Sequence, residues 1–188
     1  MEVYQVEKTE QTNLSEPIAV IETEARGLSA ITVGSDKIYM GFCGSMVSGN
    51  IQIQTYSLEY EQLNAIELEV ADNIVTEMVL CHNEQFLVCV HQAGLITVVN
   101  TEDMSFSTSA PFEEVHGKVE SIWGVKRIDV EFVSIFEKLI FNTTNGLFSG
   151  MITADGEIQA TEDAFFKDCN VTNACIIKDD LLLCTLND

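Results

Sequence analysis

A cluster of cysteine and histidine residues is the first place where this sequence could do chemistry. Cys81 and His82 are adjacent, and Cys89 and His91 follow them closely. Thiolates and imidazoles are common Zn²⁺ ligands, but the short Cys-x-x-Cys pair of structural zinc sites is missing here. On one face of a strand, Cys89 and His91 would stand about 6–7 Å apart. The spacing therefore favours buried thiols with a histidine at the rim, and we predict no metal and no cofactor.

Two further patterns resemble parts of enzyme active sites. The segment Gly41–Ser45 holds a cysteine and a serine, but a nucleophile turn needs the order Gly-x-Ser-x-Gly before a helix. Gly44 and Gly49 are spaced as in a phosphate-binding loop, yet no lysine follows them. Acidic neighbours such as Glu113 and Glu114 point to opposite faces of a strand, so they do not converge as acid and base. We therefore predict that the chain is not an enzyme.

Four residues are candidates for contacts with a partner protein. Trp123 is the single tryptophan, and tryptophan is enriched at interface hot spots. Lys126 and Arg127 form the one adjacent basic pair and would suit an acidic loop. His116 stands at a turn ahead of a strand-like segment. The alternative interpretations are core packing for the tryptophan and a solvated turn for the basic pair.

These residues lie within a sequence pattern that repeats along the chain. The repeated units are the elements that must position them. Four segments align, each with two short apolar strands, and successive starts are separated by 47, 44 and 52 residues. A period of this size is typical of propeller blades. The units start at Leu28, Val75, Val119 and Val171.

A third and a fourth strand follow in the first three units. The third strand opens at Gly49, Gly94 or Gly146, where a tight turn can use positive φ. The fourth is more polar, as in Ala65–Val70, where apolar residues alternate with glutamates. Four strands with an apolar inner pair favour small sheets packed around an axis. In the third unit, extra residues leave undecided which segment is the inner strand, Val119–Val125 or Val130–Ile135.

Two segments also carry a resemblance to a known family. His116–Val119 is similar to the histidine turn before the first strand of a WD repeat, and Gly94–Asn100 is similar to its third strand. Val99 and Asn100 replace the family's Trp-Asp pair, and its Asp-His-Ser/Thr-Trp hydrogen-bond set does not map onto the chain. The resemblance covers residues 28–188. It implies an all-β propeller with blades of four antiparallel strands that serves as a protein-binding scaffold.

The composition describes an acidic chain that can bury a core. Of its 188 residues, 46% are hydrophobic, and 30 acidic against 9 basic residues give a formal net charge of −21. This charge repels phosphates, so we expect protein partners, including basic segments, and no direct contact with nucleic acid or membrane. Without a signal-like start or a long apolar run, we expect an intracellular protein, cytoplasmic or nuclear, with reduced cysteines.

The blades are predicted at residues 28–74, 75–118, 119–170 and, in part, 171–188, after an N-terminal segment 1–27. About three and a half blades do not close a ring. Three explanations stay open: the chain is the N-terminal half of a longer, seven-bladed protein; its own N-terminal strands complete the last blade; or a partner or second copy does. The candidate closing strands are Val3–Val6 and Ile18–Ile21.

The function predicted from the sequence is that of a non-enzymatic scaffold or adaptor subunit of a larger complex. Blade turns on a stiff framework offer a surface to other proteins. A second hypothesis is an acidic-surface binder of basic protein tails, chaperone-like or histone-binding. A third is a propeller hydrolase with a channel site, for which the inner strands hold little beyond Glu77.

Overall fold

The computed structural model describes residues 2–3, 19–23, 25–45, 50–70, 74–109, 116–129, 134–162, 164, 170–177 and 181–187. These residues form sixteen β-strands in five antiparallel sheets. The predicted all-β class is confirmed. In chain order the strands are β1 (Glu2–Val3), β2 (Ala19–Val20), β3 (Ala25–Val33), β4 (Lys37–Ser45), β5 (Ile51–Ser57), β6 (Gln62–Leu68), β7 (Val75–Cys81), β8 (Phe86–His91), β9 (Ile96–Asn100), β10 (Phe106–Ser109), β11 (Val119–Asp129), β12 (Ser134–Thr143), β13 (Gly146–Ile152), β14 (Ile158–Ala160), β15 (Asn170–Ile177) and β16 (Leu181–Asn187).

Three of the sheets are four-stranded blades in which each strand pairs with the next one along the chain. They are β3–β6, β7–β10 and β11–β14, and β15 pairs with β16 as the start of a fourth blade. The innermost strands contact one another in turn, β3 with β7, β7 with β11, and β11 with β15. This radial arrangement is that of propeller blades. The described residues do not close a ring.

The middle blade is buried on both faces, which explains the continuous apolar sequence of β8. All six residues of β8 are buried. Phe86, Val88 and Val90 belong to a core shared with the third blade. Leu87 and Cys89, which alternate with them, belong to a core shared with the first blade. Because side chains alternate along a strand, one apolar run serves both interfaces.

Polar contacts also join neighbouring blades. The carboxylate of Glu84, on the β7–β8 turn, accepts hydrogen bonds from the backbone N–H of Ser35 at 2.9 Å and from its hydroxyl at 2.8 Å. Ser35 lies on the β3–β4 turn of the first blade. The turns of two blades are thus tied at the same edge of the structure.

The glycines predicted to open the third strands behave as expected where the structure describes them. Gly94 has φ of 90° and Gly146 has φ of 124°. Few side chains tolerate this region, whereas glycine enters it without a Cβ clash. Gly49 lies outside the described residues.

The third blade settles the open choice of its inner strand. β11 begins at Val119 and pairs with β12 from Val119↔Thr143 to Asp129↔Ser134. Val119–Val125 is therefore the start of the inner strand, and the extra residues lengthen the β11–β12 hairpin. The segment Val130–Ile135 lies partly outside the described residues, and its last two residues belong to β12.

The N-terminal strands form a sheet of their own. Glu2 pairs with Val20 and Val3 with Ala19, and Ile21 packs into an apolar cluster on the first blade. Among the described residues, neither strand extends the β15–β16 sheet. Residues 4–18 lie outside the description. In the part of the chain that the structure describes, no helix is long and apolar enough to cross a membrane.

Candidate interaction surfaces

Three of the four cysteine and histidine residues that were considered as zinc ligands are buried in the structure. Cys81 and Cys89 are buried, as predicted, and burial raises the pKa of Cys89. His82 lies exposed on a turn. His91, expected at the rim, is only 1% exposed. Within the described residues, no three His, Cys, Asp or Glu side chains come together as metal ligands do.

His91 is held by threonines of the neighbouring strands. Its Nε2 lies 2.8 Å from Oγ1 of Thr97 on β9, which in turn lies 2.9 Å from Oγ1 of Thr108 on β10. Its Nδ1 is buried without a hydrogen-bond partner. Burial lowers the pKa of His91 to about 4, because a protonated imidazole is poorly solvated there. The neutral ring is therefore a fixed part of the second blade.

Glu77 is the carboxyl group that the sequence offered for a channel site, and it is half-buried in the structure. Its Oε2 accepts a hydrogen bond of 2.7 Å from the backbone N–H of Ile122 on the third blade. Burial raises the pKa of Glu77, and this hydrogen bond opposes the shift. The geometry gives Glu77 the task of joining two blades.

Replacement of Glu77 by alanine is expected to cost about 1–3 kcal/mol, because the N–H of Ile122 would be buried without an acceptor. Glu77→Gln keeps an acceptor oxygen and removes the charge, so we expect a change within about 0.5 kcal/mol. Urea unfolding of both variants at pH 7 measures the difference. Equal losses in the two variants would show that the hydrogen bond does not stabilise the blade junction.

His116 holds the start of the third blade. Its ring meets the ring of Phe148 edge-on with centroids 4.8 Å apart, and its Nε2 lies 3.1 Å from the carbonyl oxygen of Thr161. The hydroxyl of Thr143 donates to the His116 carbonyl at 2.7 Å. These contacts are all within the third blade, so the structure gives this candidate partner residue a stabilising role in its own sheet.

The three other candidate partner residues lie on one strand. Trp123, Lys126 and Arg127 belong to β11, where they pair with Ile140, Glu137 and Phe136 of β12. Their side chains lie outside the description. The backbone places the tryptophan and the basic pair on the inner hairpin of the third blade, away from the His116 turn at its other end.

A groove opens between the second and third blades, and no sequence pattern pointed to it. We call it the rim groove. It has a volume of about 190 Å³. Its apolar lining comes from Phe86 and Val98, which are 4% and 5% exposed, and from Phe106, which is 41% exposed. Asp155, an exposed residue of the β13–β14 turn, adds a carboxylate. The remaining lining residues are Asn100, Ser105, Ser107 and Gly156.

Local geometry keeps the rim groove open and negatively charged. Gly156 has φ of 82°, and a Cβ there would stand 3.1 Å from the ring of Phe86. Glycine therefore lets the turn approach this ring. Beside the groove, Asp103 accepts hydrogen bonds from the hydroxyl and the backbone N–H of Ser105. These bonds lower the pKa of Asp103, so it stays ionised.

The second surface is a row of apolar side chains on β3, which we call the open row. It consists of Leu28, Ile31 and Val33, exposed at 42%, 49% and 60%. Each is paired across the sheet with a buried residue of β4, and paired residues share one face. The partners, in the same order, are Phe42, Met40 and Ile38, which are 2%, 0% and 7% exposed. On this face of the sheet, the β4 side chains are thus buried and the β3 side chains are exposed.

Comparison with known proteins gives similarity of fold. The sequence matches no protein-family model and no curated protein. The structure of apo AztD from Citrobacter koseri, which has a β-propeller-like fold, matches with a TM-score of 0.53 at 13% sequence identity. The match covers 93% of this chain and 44% of the AztD chain. This chain therefore has a β-propeller-like fold and spans less than half of the structure that it matches.

Proposed function

We propose that this protein is a non-enzymatic interaction scaffold that binds basic segments of other proteins. The observation that carries the proposal is the rim groove between the second and third blades. Its volume of about 190 Å³ is below the roughly 300–1,000 Å³ of small-molecule sites. A groove of this size suits one long side chain of a peptide.

The chemistry of the rim groove selects a cationic side chain. Lysine and arginine carry an apolar stem that packs against apolar surface and a charged end that stays near water. Phe86 and Val98 offer surface for the stem, and Asp155 offers a carboxylate for the charge. Among the residues that the structure describes, no lysine or arginine lines the groove. The net charge of −21 adds long-range attraction for basic chains.

Two ionisable groups of the inner strands, one half-buried and one buried, support a structural framework instead of a catalytic centre. Glu77 is bound to the backbone of Ile122, and His91 is bound to Thr97. Both hold strands in place. A scaffold needs this stiffness, since a rigid binding surface loses little conformational entropy when a partner docks.

We also propose that the blades are degenerate WD repeats, and the turn before β11 supports this. Gly117 has φ of 84°, and a Cβ there would stand 2.6 Å from Oγ1 of Thr144. Position 117, in the turn before the inner strand β11, therefore requires glycine, and His116 precedes it. Such a histidine-glycine turn is the feature that resembles WD repeats.

Binding of a labelled Lys/Arg-rich peptide, followed by fluorescence anisotropy, tests the proposed function. We expect Asp155→Asn to weaken binding threefold to tenfold, which corresponds to roughly 0.7–1.4 kcal/mol. The matched control is Glu61→Gln, which removes an exposed carboxylate from a turn of the first blade. Binding should also weaken as salt rises, because ions screen exposed charges.

The outcomes distinguish binding at the rim groove from general attraction of a basic peptide to an acidic protein. Equal loss in Asp155→Asn and Glu61→Gln, or equal binding of a peptide with glutamate in place of its basic residues, would contradict the proposal. Affinity that does not change between low and high salt would contradict the charge selection.

A further inference from the structure

The open row has structural equivalents in the next two blades. Each inner strand carries an irregularity in its pairing at the same place, between Leu28 and Ala30 in β3 and between Val75 and Glu77 in β7. In β11 it lies between Val119 and Ser121. These irregularities align the three inner strands residue by residue, independently of sequence similarity.

The alignment shows what the equivalent residues do in the second blade. Counting from the irregularity, the open row corresponds to Val75, Met78 and Leu80 of β7. Val75 and Met78 are buried at 0% and 8% exposure in the core shared with the first blade, and Leu80 packs against the same core. In the second blade, this row is the surface that docks on the preceding blade.

The third blade repeats the arrangement. Val119 and Ile122 take the positions of Leu28 and Ile31, and they are 1% and 2% exposed. They lie in the core formed with the second blade, together with Val88 and Val98. Two consecutive interfaces thus use the same positions in the same way, with the inner strand of one blade placed on the middle strands of the blade before it.

In the first blade, the same positions face no blade. Their exposed fractions of 42–60% contrast with at most 8% for Val75, Met78, Val119 and Ile122. Among the described residues, β3–β6 is the one four-stranded sheet without another blade before it in the chain order. Its inner strand therefore keeps the surface of an interior blade without the neighbour.

We propose that the open row is the docking site for the last blade of a second copy of this chain. The sheet β15–β16 contacts the third blade as a following blade does, so a copy placed head to tail brings one more sheet to the open row. Under twofold symmetry the contact forms twice and the ring closes.

Charge distinguishes this contact from the binding of a basic partner. Each copy carries a net charge of −21, so two copies repel each other, whereas the open row is apolar. Salt screens the repulsion and leaves apolar burial in place. Self-association should therefore strengthen with rising salt, opposite to the binding of basic peptides at the rim groove.

Sedimentation equilibrium of the full chain tests the proposal at 50 mM and 500 mM salt. We expect a species of about twice the chain mass of 20.8 kDa, with a dissociation constant lower at the higher salt. The double variant Ile31→Thr with Val33→Thr should weaken it at least tenfold. Threonine keeps the β-branched shape that suits a strand, so the exposed sites should tolerate it.

The matched control is Leu63→Thr on β6, an equally exposed apolar side chain at 53% on the outer strand. It should leave the dissociation constant unchanged, and circular dichroism should be the same for all variants. A monomer at every concentration and both salt levels would overturn the proposal. A dimer that survives the double variant, or that Leu63→Thr weakens equally, would also overturn it. Neither result bears on peptide binding at the rim groove.

Discussion

Replacement of Gly94 by alanine is expected to lower the free energy of unfolding by about 3 kcal/mol, from a backbone penalty and an overpacking penalty of about 1–2 kcal/mol each. Gly94 has φ of 90°, which side chains with a Cβ rarely adopt. An added Cβ would overlap Cγ of Lys118 and stand 3.0 Å from the backbone nitrogen of Val119. Gly94 thus lies where the turn before β9 meets the start of the third blade.

Two further variants resolve the two penalties. Lys118→Ala removes the overlapping Cγ, and we expect this change alone to stay within about 0.5 kcal/mol, since Lys118 is exposed. Combined with Gly94→Ala, it should recover about 1 kcal/mol and leave the backbone penalty. Urea unfolding monitored by circular dichroism measures all three. A Gly94→Ala loss below about 0.5 kcal/mol would show that the blade junction yields freely.

Acidification from pH 6.5 to pH 4 is expected to remove about 3 kcal/mol of stability through His91 alone. Burial lowers the pKa of His91 in the folded chain from 6.5 to about 4. The unfolded chain therefore takes up a proton in this range before the folded chain does. The contribution of His91 is complete above pH 6.5 and is lost as the pH falls towards 4.

Variants separate the effect of His91 on stability at low pH from the effect of the carboxyl groups. His91→Gln should be less stable than the parent at pH 7, but its stability should fall by about 3 kcal/mol less between pH 6.5 and pH 4. Glu77 acts in the opposite direction, because its raised pKa favours the folded state on protonation, and it cancels in the comparison. The control is His82→Asn on an exposed turn, where asparagine suits the φ of 53°. A parent-like pH slope in His91→Gln would contradict the assignment.

The sequence predicted the strands well because their physical signals are local. Alternation of apolar and polar residues marked the outer strands, as in β6, where Glu67 is exposed and Leu68 is buried. The apolar run of β8 marked one strand of the inner pair. Gly94 and Gly146 marked the entrances to the third strands. Each of these signals needs only neighbouring residues and the geometry of one strand.

The surfaces proposed for binding could not be predicted, because they depend on distant parts of the chain. Phe86 and Asp155 meet at the rim groove only after two blades pack together. Ile31 reads as a core residue in the sequence, and only the missing neighbour makes it exposed. The burial of His91 was missed because a histidine at the end of a strand looks like a rim residue.

The double burial of β8 has a consequence for the order in which the protein opens. The second blade belongs to two cores at once, so its release breaks two interfaces, whereas the first blade of a single copy can detach at the cost of one. In such nearest-neighbour arrays, opening starts at the ends and moves inwards. Amide protons in the middle blade should be the last to exchange with solvent.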